Sequence, residues 1–424
     1  MILEFSVENF RSFRERQTFS MIPDEGRHDG TEHLLEIGDK YKLLPAAVIY
    51  GANASGKSNF IKSLQSLQSL LMFDNFKWKS PPGSRPEYNP FLFNVQTANA
   101  PTTYTLDFLL DEIRYTYSLT FLRAQIVAES LFFYPQGREA KLFVRKDQVF
   151  EFGDYLKGQR HVVAELTRPD QLFLAKGAYN NISQLIPVIK YFEESLLFKP
   201  LEEKPSEYTY YYNIVAERLF NASKDDQFLQ NFKLLFKSFD TGILDFKVKE
   251  STFRNFERED QEFDVLTEHT TFNTSGVQEG TINLEFESES KGTQQLFVLG
   301  GLLLQTLMQG GVIVIDEFER SLHPLISSYL INLFHDPKIN TKGAQLIIAT
   351  HDTNLLSSNA FRRDQIWIVE KDQTGASELF SLADVNGILK DAPYEKWYLS
   401  GRMGGIPAIQ SLDFQLNFEA HEAQ

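Results

Sequence analysis

Eight residues constrain this chain more than any others: Gly51-Ala52-Asn53-Ala54-Ser55-Gly56-Lys57-Ser58. They match G-x-x-x-x-G-K-[ST], a loop whose glycines let backbone N–H groups turn inward around phosphates. Such a match has meaning only in context, and both flanks fit. Before it, Leu43-Leu44-Pro45-Ala46-Ala47-Val48-Ile49-Tyr50 runs apolar, as a strand buried on both faces does. After it, Phe60-Ile61, Leu64, Leu67 and Leu70-Leu71 recur at three- and four-residue spacing, which predicts an amphipathic helix. Strand, glycine turn and helix N-terminus together make an anion site. A chance glycine turn explains less.

This loop calls for ATP and Mg²⁺. Lys57 is expected to reach the β- and γ-phosphates, and the Ser58 hydroxyl to bind Mg²⁺. Gly51, Asn53, Gly56 and Asn59 complete the phosphate-binding stretch. A second strand signal, Val312-Ile313-Val314-Ile315, ends in Asp316-Glu317. Open α/β sheets hold ligands at the carboxyl ends of their strands. Asp316 is therefore expected to hold Mg²⁺ through water, and Glu317 to be the base that activates the attacking water. Alone, two adjacent acids are more often a solvated turn; paired with the phosphate loop, the weighting reverses. A third strand, Gln345 to Thr350, runs into His351, about one helix and one strand beyond the acids. That distance puts His351 on a neighbouring strand, within reach of a γ-phosphate.

Around these motifs the chain has a readable order. An alternating strand (Ile2, Glu4-Phe5, Val7-Glu8) leads to the turn Asn9-Phe10-Arg11-Ser12-Phe13, and 23–42 reads as a loop or short hairpin. From 73 to 100 proline, glycine, serine and asparagine mark a boundary. Strand-like runs follow at 104–110, 115–121, 126–134 and 141–151, and 182–240 turns helical, with Phe228, Phe232, Leu235, Phe236 and Phe239 as one core stripe. The resulting expectation is an α/β fold. An ATPase core in two parts, 1–71 and 241–424, is split by an insertion at 72–240, strand-rich and then helical.

Charge and composition narrow the partners. The 424 residues carry a net charge of −15, so whole-surface nucleic-acid binding is not indicated, although a local groove stays open. Residues 241–290 hold twelve acidic and four basic side chains, a net of −8. With no cysteine, thiolate nucleophiles and Cys-ligated metals are excluded. No run approaches the roughly 20 apolar residues of a membrane span, and the first residues lack a signal pattern. No membrane contact and a cytoplasmic location are expected.

The order of motifs resembles ABC-type ATPases of the RecF/SMC/OLD group. Ser290-Lys291-Gly292-Thr293-Gln294 looks like their signature, which opens a helix and caps the nucleotide of a second protomer; Lys291 stands where a glycine is usual and Glu289 where a leucine is. Glu319-Arg320-Ser321-Leu322-His323-Pro324 looks like the stretch after the acids, with His323 in place of an aspartate. Asn9 to Phe13 is similar to their N-terminal turn, where Arg11 would approach the nucleotide. The tail Tyr398 to Pro407 resembles the ending of bacterial ATP-binding proteins of the abortive-infection type. The resemblance leaves the Mg²⁺-binding glutamine unassigned, with Gln96 its only stand-in. It implies a homodimer or higher homo-oligomer closing around ATP. No Asp-x-Asp of a fused TOPRIM nuclease occurs. The expected function is thus an ATP-hydrolysing sensor or switch of anti-phage defence. It would work with a separately encoded effector protein, such as a nuclease, and a phage protein as trigger. The alternatives are a RecF/SMC-like DNA-repair ATPase, which needs a basic face, and the ATPase of a transporter, which lacks such an insertion.

Overall fold

Ala46 to Tyr50 is buried at every position, as the unbroken apolar run predicts, and the molecule is built around this strand. The computed structural model describes residues 1–24, 34–72, 88–199, 205–251, 262–357, 361–388 and 392–407. In chain order, β1 (Ile2–Glu8) and β2 (Gln17–Ser20) precede a hairpin of β3 (Leu35–Ile37) and β4 (Tyr41–Leu43). Then come β5 (Ala46–Tyr50) and α1 (Lys57–Met72). Five strands follow: β6 (Thr102–Leu110), β7 (Ile113–Phe121), β8 (Ile126–Phe133), β9 (Ala140–Lys146) and β10 (Val149–Phe152). Short helices α2 (Arg160–Glu165), α3 (Phe173–Tyr179) and α4 (Ile186–Lys190) lead to β11 (Leu196–Lys199). Helices α5 (Pro205–Phe220) and α6 (Gln227–Lys237) come before β12 (Ile243–Glu250), β13 (Phe263–Phe272) and β14 (Gln278–Glu285). The remainder alternates: α7 (Lys291–Gln309), β15 (Val312–Ile315), α8 (Pro324–His335), β16 (Gln345–Ala349), α9 (Asn354–Ser357), β17 (Ile366–Lys371), β18 (Ser377–Ser381) and α10 (Tyr394–Leu399).

Two sheets carry the fold. One has six strands in the order β11-β15-β16-β5-β17-β18, parallel except for the antiparallel β18 at its edge. The other has seven antiparallel strands in the order β10-β9-β8-β7-β6-β1-β2. Period-two alternation divides the parallel strands between two cores. Ala47, Ile49, Val314, Ile347 and Val369 face α1 and the antiparallel sheet. Val48, Ile313, Ile315, Ile348 and Ile368 face the layer of α5, α6, α7 and α8. Helix α1 is thus held between the sheets, which fixes the direction of its N-terminus. The fold is α/β, a parallel-sheet core built on a strand–glycine loop–helix unit and carrying a strand-rich and then helical stretch.

Several expectations meet the structure unevenly. Of the loop or short hairpin expected at 23–42, the described part is the hairpin β3–β4, which ends at Leu43, and Asp111-Glu112 makes a tight turn with both residues left-handed. Residues 72–240 are strand-rich and then helical, but they are woven into both sheets: β6 pairs with β1, and β11 pairs with β15. The helical reading of 182–240 overlooks β11. Its four residues, Leu196-Leu197-Phe198-Lys199, have no alternation because a parallel strand buried on both faces needs none. A short third sheet, β12-β13-β14, holds most of the acidic stretch that is described; Glu257, Glu259 and Asp260 lie outside the described residues.

Candidate functional site

Parallel packing brings the carboxyl ends of β5, β15, β16 and β17 to one edge of the sheet, and a cleft of about 510 Å³ opens there. Asn53, Lys57, Ser58, Asp316, Glu317 and His351 all line it. Residues separated by some 300 positions in the sequence meet because β5 lies beside β16, which lies beside β15. A larger hollow of about 900 Å³ lies at the other end of the same strands, beside Pro45, Gly310 and Gly343. Ligands of open α/β sheets bind at carboxyl ends, and the converging charged groups are there too.

The phosphate loop is tightly held. Lys57 is 7% exposed, and its Nζ donates to the carbonyls of Gly51 (2.8 Å) and Ala52 (3.2 Å). Burial pulls its pKa down to about 8, opposed by the charges of Asp316, Glu319 and Glu317. Asn59 donates to Ser12 Oγ at 2.9 Å, so the N-terminal turn braces the start of α1. Gly56 has φ +129, and a Cβ there would lie 2.5 Å from Ser377 Oγ. No other residue fits.

Opposite the loop stand the acids. Asp316 is 5% exposed and its Oδ1 accepts the Glu317 N–H at 3.1 Å. Glu317 is left-handed at φ 47, a conformation costing a non-glycine residue about 1 kcal/mol or more. Burial and then the neighbouring Asp316 charge hold its carboxyl above the usual range. His351 keeps one side open to solvent. Partial desolvation and then the Lys57 charge hold its imidazole below its ordinary value. The set of one hydroxyl and one carboxylate at Ser58 and Asp316 offers hard oxygen donors in one cleft. That fits Mg²⁺, which takes few protein ligands and completes its shell with phosphate and water.

Two residues of this site escape the sequence reading. Glu319 bridges the strands: its carboxylate accepts the Thr350 hydroxyl (2.6 Å) and the His351 N–H (2.8 Å). Lys371, at the end of β17, lines the cleft and is exposed. Its signal was a strand end adjacent to β5, which needs the strand order to be seen. His323, in place of an aspartate, caps α8 by accepting the Leu325 N–H at 3.2 Å.

Other candidates stand apart. Arg11 is exposed and does not line the cleft; its N–H donates to Asn89 O and its guanidinium lies over the Phe10 ring. The turn is pinned by Phe10 and Phe13, so Ser12, not Arg11, reaches the phosphate loop. Gln96 does not line the cleft either. Ser290 and Gly292 open α7 as expected, with Ser290 Oγ accepting the Thr293 N–H at 3.1 Å. They do not line the cleft of their own chain. They lie instead by the stretch after the acids, where a Cβ on Gly292 would be 3.0 Å from the Ser321 carbonyl oxygen.

Residues 46–357 match the family model described as "AAA domain, putative AbiEii toxin, Type IV TA system". The span contains the phosphate loop, the signature-like stretch, the acids and His351. No curated protein matches. Among solved structures, the chain is similar to an SMC head domain from Thermotoga maritima: 13% identity, 90% of this chain and 98% of that one, TM-score 0.40. It is similar also to an Smc head domain with an extended coiled coil bound to the C-terminal domain of ScpA, from Pyrococcus furiosus. There the identity is 14%, the coverage 90% and 96%, and the TM-score 0.41.

Proposed function

The chain belongs to this AbiEii-type AAA-domain family, and from that premise we propose an ATP-binding and ATP-hydrolysing switch of a bacterial anti-phage, abortive-infection-type system. It closes as a dimer around ATP and controls a separately encoded effector, such as a TOPRIM nuclease. One observation carries the chemistry: phosphate loop, acid pair and histidine line a single cleft. The family description, which names an AbiEii toxin, supports the biological setting.

In this reading the loop N–H groups and Lys57 hold the phosphates, and Ser58 and Asp316 would hold Mg²⁺, which when bound would supply charge neutralisation to the phosphates. Glu317 takes a proton from the attacking water, whose oxygen bonds to the γ-phosphorus as the bond to the bridging oxygen breaks. ADP leaves with that electron pair. A carboxyl above the usual range is the better base, because its proton affinity is nearer that of its task. His351 contacts the γ-phosphate from the neighbouring strand. Ser290 and Gly292 reach the nucleotide of the partner protomer, consistent with their place outside their own cleft. The net charge of −15 does not favour the DNA-repair alternative. No described helix is long and apolar enough to cross a membrane.

The test is Glu317→Gln. It should bind a fluorescent ATP analogue like the parent while phosphate release falls by about 10²–10⁴-fold. Hydrolysis at the parental rate would remove Glu317 as the base. For the setting, phage are plated on cells carrying the chain with its neighbouring gene. Lys57→Ala should abolish any protection the parent gives.

A further inference from the structure

The family match ends at 357, yet a later segment returns to the phosphate loop. Three attachments tie residues 394–406 to the segments that carry the site. Glu395 accepts the Thr353 hydroxyl at 3.1 Å, two residues beyond His351. The Tyr398 ring lies 5.4 Å from that of Tyr50, the last residue of β5, and the Tyr50 hydroxyl in turn donates to the Asp352 carbonyl at 2.9 Å. Gly405 lies against the first loop glycine: a Cβ on it would be 3.4 Å from Gly51 Cα and 2.7 Å from Ile368 Cγ2.

The segment is also locked on its own side. The Gly405 N–H donates to Glu370 Oε1 at 2.6 Å, and its carbonyl accepts the Tyr398 hydroxyl at 3.0 Å. With φ at +69, Gly405 occupies a conformation that glycine alone adopts freely, and its would-be Cβ meets core rather than solvent. Tyr398 and Met403 are 7% and 2% exposed, so this segment is packed into the fold. Nothing in the nucleotide chemistry itself requires these residues, and none of them lines the cleft.

We propose that residues 394–406 are a latch that positions the phosphate loop, with Glu395, Tyr398 and Gly405 as positioning residues acting through Thr353, Tyr50 and Gly51. The inference rests on the ATP reading above. A loop that must present several N–H groups at once is sensitive to displacement, and loss of the latch lets its first glycine move. Binding then weakens before the acids lose their geometry, because Asp316 and Glu317 are carried by a different strand.

The experiment uses the full chain with Gly405→Ala, Glu370→Ala and Glu370→Gln. Affinity for N-methylanthraniloyl-ATP, KM, kcat and thermal unfolding are measured for each. Gly405→Ala should raise Kd and KM about tenfold or more, with a much smaller change in kcat. Glu370→Ala should move the same two constants in the same direction, and Glu370→Gln, which keeps an acceptor for the Gly405 N–H, should recover most of the loss. If Gly405→Ala does not fold, the Glu370 pair decides. Parental affinity and KM in folded Glu370→Ala protein overturn the latch while leaving the ATP reading standing. A loss of kcat alone, or equal loss in both Glu370 variants, also overturns it. A parent that binds no ATP overturns the ATP reading and the latch with it.

Discussion

Glu319 shows how a single carboxylate can set the geometry of a residue it does not follow in sequence. Its two oxygens take one bond each from Thr350 and the His351 N–H, so the loop after β16 is fastened to the loop after β15. Glu319→Ala should free His351 and lower kcat by about tenfold or more with little change in nucleotide affinity, while Glu319→Gln retains part of the rate. Steady-state kinetics with a binding titration separate the two parameters. His351 also makes a pH prediction. Its depressed pKa means the folded chain binds this proton less readily than the unfolded chain does. Stability should therefore fall as pH drops below the ordinary histidine value of 6.5 and be flat in this respect above it. Thermal unfolding from about pH 8 to pH 5 should show a shallower fall in His351→Gln than in the parent. At this scale much of the cleft was legible. Lys57, Ser58, Asp316, Glu317 and His351 follow strands whose burial is written as apolar runs. Glu319 and Lys371 were not, because their relevance comes from a neighbouring strand. Arg11 lies outside the lining of the cleft, because a motif gives a turn without the direction of its side chains.

Among elements, the join between the β12-β13-β14 sheet and α7 has a cause in one unusual residue. Glu289 stands where the resemblance expects leucine. Its Oε1 accepts the buried Thr267 hydroxyl at 2.5 Å and lies 2.7 Å from His269 Nε2, both on β13. The residue before the helix cap is thus hooked to the sheet. Glu289→Leu should leave the Thr267 hydroxyl without its carboxylate partner and cost about 1–3 kcal/mol in urea unfolding. It should also lower hydrolysis by loosening Ser290; an unchanged rate would detach the hook from the site. Elements were legible in proportion to their pattern. The long helices α1 and α6 and the alternating strands β6–β8 announced themselves, α7 was expected only through the signature-like stretch, and the 141–151 run proved to be the hairpin β9–β10. Strand β11 did not, since four apolar residues inside a helical stretch carry no period.

At the scale of the molecule, the proposed dimer would complete each nucleotide site from two chains. Ser290 and Gly292 stand outside the cleft of their own chain, so a sandwich of two protomers would give two composite sites. Lys57→Ala and Ser290→Arg proteins, each inactive alone, should regain activity when mixed. Random pairing leaves one intact site in each heterodimer, so about a quarter of the parental rate is expected. No recovery with heterodimers confirmed by mass would count against shared sites. Sequence could state this expectation but not its geometry, because a self-complementary face has no linear signature. The sheet order has another consequence, for synthesis. Strand β5 and its loop are translated early, yet β5 pairs only with β16 and β17, both made late. While the ribosome works through the intervening residues, Ala46 to Tyr50 has no edge to join, and a nascent chain cannot assemble the loop's setting. A message cut short before β17 therefore yields a product whose phosphate loop lacks the strands that support it. An apolar strand left waiting is also a hazard of aggregation, a natural opening for a chaperone.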